Sequence, residues 1–154
     1  MKILATKILI GIPTFARTWK LTSDSGKTGV PPLKADGPGE QGPYLKEEGL
    51  MAYYEVCPLL TTSNDAQTSA TLYRKVVDPT NRLGTYAYRL PNGKVKGIWI
   101  SYEDPEVAGK KAYYAKVKGL GGVAIADLSM EDFKGSCTAA LTKFPIVQSV
   151  KLNL

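Results

Sequence analysis

The sequence has no histidine, and its 154 residues include only two cysteines, Cys57 and Cys137. Without imidazole the chain cannot form a Ser-His-Asp or Cys-His nucleophile system, or a zinc site of the HExxH type. Two cysteines alone do not supply the four ligands of a structural zinc or iron-sulfur site. We therefore expect no metal and no cofactor, and catalysis by this chain would have to rest on carboxylates, lysine or tyrosine.

Long apolar runs are also missing. No run approaches the roughly 20 residues that a membrane-spanning helix needs. The first ten residues continue directly into Gly11-Ile12-Pro13, without the longer apolar region and small-residue cleavage site of a signal peptide. We therefore predict no membrane span, and if the protein is secreted, its signal lies outside this sequence.

The charge balance is moderately basic, with 20 Lys and Arg against 14 Asp and Glu, a net charge of +6. Such a balance makes nucleic acid or an anionic surface a partner to consider. The basic residues are scattered, however, and the densest group lies on one predicted helix at Lys110, Lys111, Lys116 and Lys118. A solvated helix face explains this group more simply, so we predict no nucleic-acid partner.

The two ends of the chain have the pattern of a parallel β/α protein. Lys7–Phe15 is a nearly unbroken apolar run, typical of a strand buried on both faces. Asp104 as N-cap and Pro105 at the first helical position predict a helix that stops at Gly119. Gly121–Leu128 follows as a second apolar strand, which completes half of a β/α unit.

The middle of the chain has the pattern of a small antiparallel sheet. Leu72–Val77, Gly84–Leu90 and Gly97–Tyr102 each mix β-branched or aromatic residues with polar ones. Pro91-Asn92-Gly93 predicts a hairpin between the last two, because Asn-Gly tolerates the positive φ angles of a tight turn.

Four further segments complete the prediction. Three- and four-residue spacing of apolar side chains predicts a short helix within Leu50–Leu60. Lys20–Gly49 and Thr61–Thr71 are expected to be loops, the first with short extended pieces at most. Ser129–Phe133 is expected to begin another helical turn, with Ser129 as its N-cap.

These patterns leave two interpretations of the fold open. A (β/α)₈ barrel needs about 250 residues and eight strands, and this chain supplies two candidate barrel strands with an antiparallel insertion between them. It is therefore a fragment of something larger, or a small α+β domain.

Four motifs resemble, in order, the C-terminal half of glycoside hydrolase family 18. They are Gly11–Trp19 (GIPTFARTW), Gly42-Pro43, Lys46–Cys57 (KEEGLMAYYEVC) and Gly119–Phe133 (GLGGVAIADLSMEDF). In that family they represent the seventh barrel strand, the start and the helix of an inserted α+β domain, and the eighth strand with its following turn. The resemblance covers nearly the whole chain.

The fold that this resemblance implies is α/β plus α+β: the C-terminal fragment of a TIM barrel that carries the chitinase-type insertion domain. Residues 1–17 would form barrel strand seven, and residues 18–101 the insertion domain. Residues 102–154 would form the last barrel helix, strand eight and the C-terminal helix.

Within the family, three segments are most similar to the insect imaginal disc growth factors: Tyr86–Pro91, Gly97–Pro105 and Asp127–Cys137. The resemblance implies a secreted, extracellular chitinase-like protein that acts as a growth signal through a cell-surface receptor, with chitooligosaccharide as another possible partner. The oligomeric state is not indicated.

The resemblance also implies that the chain itself is not an enzyme. Family chitinases place their catalytic acid in a DxxDxDxE pattern on the fourth barrel strand, and the substrate's own acetamido group is the nucleophile. No segment of this sequence matches that pattern. Two alternatives stay open: part of an active chitinase whose catalytic Glu lies upstream, or a lectin-like protein that binds chitin without cleaving it.

The sugar groove of the family maps onto Phe15, Arg17, Glu47, Leu50 and Ala126. Phe15 and Arg17 match the tyrosine and arginine of the family's seventh-strand pattern, and Glu47 matches an acidic residue of the insertion. Leu50 stands where a methionine is common. Ala126 stands where chitinases carry the tryptophan beneath the sugar, and a methyl group lacks that stacking surface.

Three of the groove residues also have a structural explanation. Arg17 could pair with a carboxylate of the insertion domain, Phe15 could pack in the core, and Glu47 could be a carboxylate at a helix start.

The resemblance further implies a disulfide between Cys57 and Cys137, which agrees with an even cysteine count and a secreted protein. The alternative is two reduced cysteines in a cytosolic fragment.

Overall fold

The structure is a computed structural model that describes residues 2–25, 34–61, 72–76 and 84–154. Most of the predicted loop Thr61–Thr71 and part of the predicted loop Lys20–Gly49 lie outside these residues. Within the described ranges, each helix is too short or too polar to cross a lipid bilayer.

The described residues contain nine strands and three α-helices. In chain order these are β1 (Leu9–Pro13), β2 (Phe15–Leu21), β3 (Ala35–Pro38), β4 (Leu50–Ala52), α1 (Tyr53–Val56), β5 (Leu60–Thr61), β6 (Tyr73–Val76), β7 (Thr85–Arg89), β8 (Gly97–Tyr102), α2 (Pro105–Val117), β9 (Gly122–Ala126) and α3 (Pro145–Asn153).

The two predicted apolar strands are neighbours. β1 pairs with β9 in parallel, with Leu9 opposite Gly122 and Pro13 opposite Ala126. Their carboxyl ends therefore meet at one edge of a two-stranded sheet. This confirms the parallel β/α unit expected from the sequence.

Helix α2 begins and ends where the sequence predicts. The Asp104 side chain accepts a hydrogen bond from the Val107 N–H at 2.8 Å, which satisfies a donor that has no partner inside the helix. Pro105 is the first helical residue, and Gly119 follows the helix with a φ of +62°. A side chain at Gly109 would place its Cβ 2.6 Å from the Ser149 hydroxyl, so this glycine permits the close contact between α2 and α3.

The remaining strands form a mixed sheet, mainly antiparallel, in the order β3-β2-β8-β7-β6-β5, with β4 also paired to β2. The predicted hairpin joins β7 to β8, and Asn92 pairs with Val95 across its turn. Gly93 has a φ of +57° there, as a tight turn requires. Ile100 of β8 and Ile12 of β1 are fully buried in one shared core, so the two sheets pack as a unit.

The short helix predicted within Leu50–Leu60 is present, but it does not begin at the start of that segment. Leu50, Met51 and Ala52 form strand β4 against β2, and only Tyr53–Val56 is α-helical before a 3₁₀ turn. Long-range pairing explains the difference. The backbone of β2 is available for hydrogen bonding, and pairing with β2 is favoured there over a helix that only local spacing supports.

Two boundaries also differ from the prediction. Phe15 to Arg17, assigned above to barrel strand seven, lie in β2 of the mixed sheet, because the chain leaves β1 at Thr14. Ser129 is not an N-cap: the Asp127 side chain accepts a hydrogen bond from the Ser129 N–H at 2.7 Å, and only a short 3₁₀ turn follows.

Candidate functional site

The carboxyl ends of β1 and β9 are tied to the mixed sheet through Thr14. Its N–H donates to the Ala126 carbonyl at 2.8 Å, and its carbonyl accepts from the Tyr53 N–H at 3.1 Å. Its hydroxyl donates to the Asp127 carbonyl and accepts from the Asp127 N–H. Because Thr14 is only 1% exposed, these bonds fix the junction at which the chain passes from one sheet to the other.

One face of β2 carries three of the larger side chains near this junction. Phe15, Arg17 and Trp19 alternate with the buried residues Ala16 and Thr18, as a strand with one covered face requires. We call the surface formed by Phe15, Arg17 and Trp19 the groove face. This alternation of large and small side chains is visible in the sequence, although only Phe15 to Arg17 were predicted to lie in a strand.

Three of the predicted groove residues are brought together here. The Arg17 guanidinium lies 5.4 Å from the centre of the Phe15 ring, within the range of a cation–π contact. Arg17 is opposite Leu50 in β4 and Ser101 in β8. Within the described residues Arg17 forms no ion pair with a carboxylate, so the pairing considered above is not observed there.

The two other predicted groove residues lie at the margins of this group. Ala126 ends β9 opposite Pro13, and its side chain is exposed beside the junction. Glu47 is exposed on the loop that leads into β4, and it is not a helix-start residue, because α1 begins only at Tyr53. The geometry therefore places the candidate site at the carboxyl ends of the parallel strands, which is where TIM-barrel proteins carry their ligand sites.

An aromatic row that was not predicted to belong to the site extends the groove face. The Trp19 and Trp99 rings lie 5.5 Å apart across the β2–β8 ladder, and Trp99 lies 5.5 Å from Tyr86 of β7. Trp19 and Trp99 thus pack on each other along the mixed sheet. Trp19 is 37% exposed, so part of this row remains accessible.

The structure contains the Cys57–Cys137 disulfide, with the two Cα atoms 5.5 Å apart. It joins the end of α1 to the segment after β9. The Asp132 side chain fixes that segment by accepting hydrogen bonds from the Gly135 N–H at 2.9 Å and the Cys137 N–H at 2.6 Å.

The chemistry available at the junction is limited. Asp127 is the carboxylate next to Ala126, and hydrogen bonds from Ser129 lower its pKa. A carboxyl group that is ionised at neutral pH cannot serve as a general acid there. In the described part of the chain, no group of three or more Cys, Asp or Glu side chains is placed to hold a metal ion.

Glu131 is an unusual buried carboxyl group close to this segment. It is 0% exposed, and its Oε1 accepts a hydrogen bond from the Ile146 N–H at 2.8 Å, at the first turn of α3. Among the described residues its Oε2 has no hydrogen-bond partner. Burial, with a smaller contribution from the charge of Asp132, raises the pKa of Glu131 to about 7.

This raised pKa predicts that stability falls as the pH rises. Between pH 4.5 and about 7 the folded protein binds more protons at Glu131 than the unfolded chain, so the free energy of unfolding decreases over this window. We expect a loss of about 1 to 3 kcal/mol. Glu131→Gln keeps an oxygen for the Ile146 N–H and carries no charge, so its advantage over the wild type should grow from pH 5 to pH 8 in urea titrations. Parallel curves for the two proteins would contradict the assignment, and Glu48→Gln, at an exposed carboxylate, is the control.

The chain has a parallel β/α unit, and a mixed sheet is inserted after the first strand of that unit. This arrangement is typical of β/α proteins that carry an inserted α+β domain. Residues 1–131 match the model of "Glycosyl hydrolases family 18", and the chain belongs to that family. The resemblance of the four sequence motifs is thereby confirmed.

Among curated proteins, the chain is similar to chitinase-like protein Idgf4 of Glossina morsitans morsitans. The two are 49% identical over 97% of this chain and 34% of the relative. The chain thus spans about a third of the length of the curated relatives it matches.

Two solved structures show the same arrangement. Human YKL-39, described as a pseudo-chitinase with retained chitooligosaccharide binding, is 27% identical, with a TM-score of 0.75 over 97% of this chain and 35% of that one. The immunomodulatory active chitinase TsES1 of Trichuris suis is 28% identical, with a TM-score of 0.75 over 97% of this chain and 36% of that one. One family fold therefore accompanies both a pseudo-chitinase and an active enzyme.

Proposed function

We propose that this chain is the C-terminal part of a secreted, non-catalytic chitinase-like protein of the growth-factor type, with residual chitooligosaccharide binding. In this proposal β1 and β9 are barrel strands seven and eight, and the mixed sheet is the insertion domain. A cell-surface receptor would be the partner through which the protein signals, outside the cell.

The observation that carries the proposal is the position of Ala126. It ends β9 beside Thr14 and is exposed at the strand edge where a sugar ring would rest. An alanine methyl group offers little surface for stacking on a pyranose ring. Phe15 and Arg17 keep one wall of the groove, so binding is expected to be weak and to occur without the floor that positions a sugar for cleavage.

The lack of the family's catalytic pattern supports a non-catalytic role for this segment. No DxxDxDxE pattern occurs in the sequence, and the carboxylate at the junction, Asp127, has a lowered pKa. The active chitinase among the structural neighbours makes hydrolysis the second candidate, with its catalytic Glu upstream of this chain.

A turnover assay separates the two candidates. The full-length protein is incubated with a fluorogenic chitotrioside, beside an active family 18 chitinase as the positive control. We expect no product above background. Turnover that disappears when an upstream glutamate in a DxxDxDxE pattern is changed to glutamine would establish the enzyme instead.

A binding experiment tests the residual groove. Calorimetric titration of chitohexaose into the full-length protein should show weak binding that Arg17→Ala reduces further. A flat trace at millimolar sugar would remove sugar binding from the proposal and leave the signalling role alone.

Restoring an aromatic floor should strengthen sugar binding. Ala126→Trp adds a ring at the exposed end of β9, and aromatic contacts contribute about 0.5 to 1.5 kcal/mol beyond the area that they bury. We therefore expect chitohexaose affinity to rise about 2- to 10-fold in calorimetry. Ala139→Trp, at an exposed position outside the groove, is the matched control, and an equal gain in both variants would indicate unspecific stacking.

A further inference from the structure

The opposite face of the mixed sheet carries a separate pocket. A cavity of about 400 Å³ is lined there by Lys20 of β2, Ile98 of β8 and Arg89 of β7, together with residues 40–43 and the hairpin at 94–97. Lys20 is directly opposite Ile98, and Ile98 is directly opposite Arg89, so these three side chains share the face that turns away from the groove face. The volume falls in the range of about 300 to 1,000 Å³ that is typical of small-molecule sites.

The charges around this cavity are strongly unbalanced. Among the described residues that line it, Lys20, Arg89, Lys94 and Lys96 are cationic, and Glu40 is the one carboxylate. The Lys96 ammonium lies 3.7 Å from the Glu40 carboxylate, with both side chains about two-thirds exposed. An exposed pair at this distance offsets little of the positive potential.

Two half-buried lysines elsewhere in the fold are neutralised by near neighbours. Lys75 lies 2.7 Å from the carboxylate of Asp104, and Lys111 pairs with Glu103. By contrast, Lys20 and Lys94 form no ion pair within the part of the chain that the structure describes. Cations gathered around one concavity repel each other and focus a positive potential into it, so a bound anion would relieve that repulsion.

Arg89 is held in place rather than left to move in solvent. Its guanidinium lies 5.2 Å from the centre of the Tyr73 ring, and its Nη2 donates to the Lys96 carbonyl at 3.1 Å. A guanidinium fixed on both sides supplies a positive charge at a defined position, at little entropic cost on binding.

The floor of the cavity indicates what kind of molecule fits. Met51, Tyr73 and Ile98 line it, yet each is less than 9% exposed, so they offer little apolar surface to a ligand. The accessible surface is shared about equally between polar atoms of the charged rim and apolar atoms, and the half-buried Leu59 and Val95 also line the cavity. Because cations dominate the charge of the rim, the pocket suits an anionic group carried on a small molecule with both polar and apolar surface, such as a sugar ring.

We propose that this pocket binds a phosphate or sulfate monoester carried on a molecule about the size of a monosaccharide. The ammonium groups of Lys20 and Lys94 contact the anionic oxygens, and Arg89 adds fixed positive charge at the pocket wall. The inference is independent of the proposed function, because the pocket and the groove lie on opposite faces of the sheet.

Calorimetric titration of the full-length protein tests the proposal with glucose 6-phosphate, glucose 6-sulfate and uncharged glucose as probes. We expect at least one ester to bind, glucose not to bind, and the affinity to fall as NaCl is raised, since salt screens the charges. The stronger of the two esters identifies the anion that the pocket prefers.

Paired variants locate the binding. Lys20→Met with Lys94→Met should weaken ester binding at least tenfold, whereas Lys116→Met with Lys151→Met, the same loss of charge at exposed helix positions, should leave it unchanged. Melting temperatures of both variants check that they are folded. No heat from either ester at millimolar concentration, or an equal loss in both double variants, would overturn the proposal.

Discussion

Replacing both Cys57 and Cys137 by serine should lower the free energy of unfolding by about 4 to 5 kcal/mol. The bridge closes a loop between residues 80 positions apart in sequence. In the chain-entropy account, such a cross-link removes many conformations from the unfolded chain, and the loss grows with loop length. This covalent link joins the turn after α1 to the segment after β9, so its removal should also loosen the contact between those two segments.

Urea denaturation of the full-length protein, followed by the fluorescence of Trp19 and Trp99, measures the loss. Adding a reductant to the wild type should lower the midpoint by the same amount as the double substitution. Ser136→Ala, next to the bridge, is the control for local disturbance. A double variant as stable as the wild type would show that the bridge contributes no net stabilisation.

The second large effect is expected at Glu55, a carboxylate that is only 2% exposed. It accepts backbone N–H groups from Tyr44 at 2.7 Å, Leu45 at 3.2 Å and Ala52 at 2.8 Å. One side chain thus fixes the loop before β4 and accepts the N–H of the residue immediately before α1. Gly42 permits this approach, because a Cβ there would lie 2.5 Å from the Glu55 carboxylate.

Glu55→Ala should destabilise the protein by roughly 3 to 5 kcal/mol, because three backbone donors lose their acceptor and a buried donor without a partner is costly. Glu55→Gln should recover only part of the loss, since its amide nitrogen cannot accept a hydrogen bond. Glu48→Ala, at an exposed carboxylate of the same loop, is the control in urea denaturation. A loss below about 1 kcal/mol for Glu55→Ala would show that water replaces the carboxylate.

Local signals determined several elements correctly. The cap at Asp104, the proline after it and Gly119 define α2, because capping depends on residues within one helical turn. Asn92 and Gly93 define the β7–β8 hairpin for the same reason. Strand β8 has the predicted bounds, Gly97–Tyr102, since its alternating pattern fits a sheet with one covered face.

Long-range pairing decided what the local signals missed. Leu50–Ala52 has helical spacing but forms β4, because β2 offers backbone partners that lie more than thirty positions away in sequence. Phe15 to Arg17 look like the continuation of a buried strand, but the bonds of Thr14 end that strand and turn the chain into the other sheet. No local pattern encodes either partner.

The candidate site and the pocket also differ in how far they could be predicted from the sequence. Resemblance at the sequence level identified Phe15, Arg17 and Leu50, which the sheet then places together, and the motif at Cys57 and Cys137, which the structure joins. Lys20, Arg89 and Lys94 carry no recognisable motif.

The sequence by itself determined the family, the ends of α2, the hairpin and the absence of histidine chemistry, because each depends on residue type or on near neighbours. Only the tertiary structure decided that Glu55 holds three backbone groups, that Glu131 is buried beneath α3, and that Lys20 and Lys94, which form no ion pair among the described residues, lie beside a cavity. Burial and charge density depend on segments distant in sequence, so these properties exist only once the chain has folded.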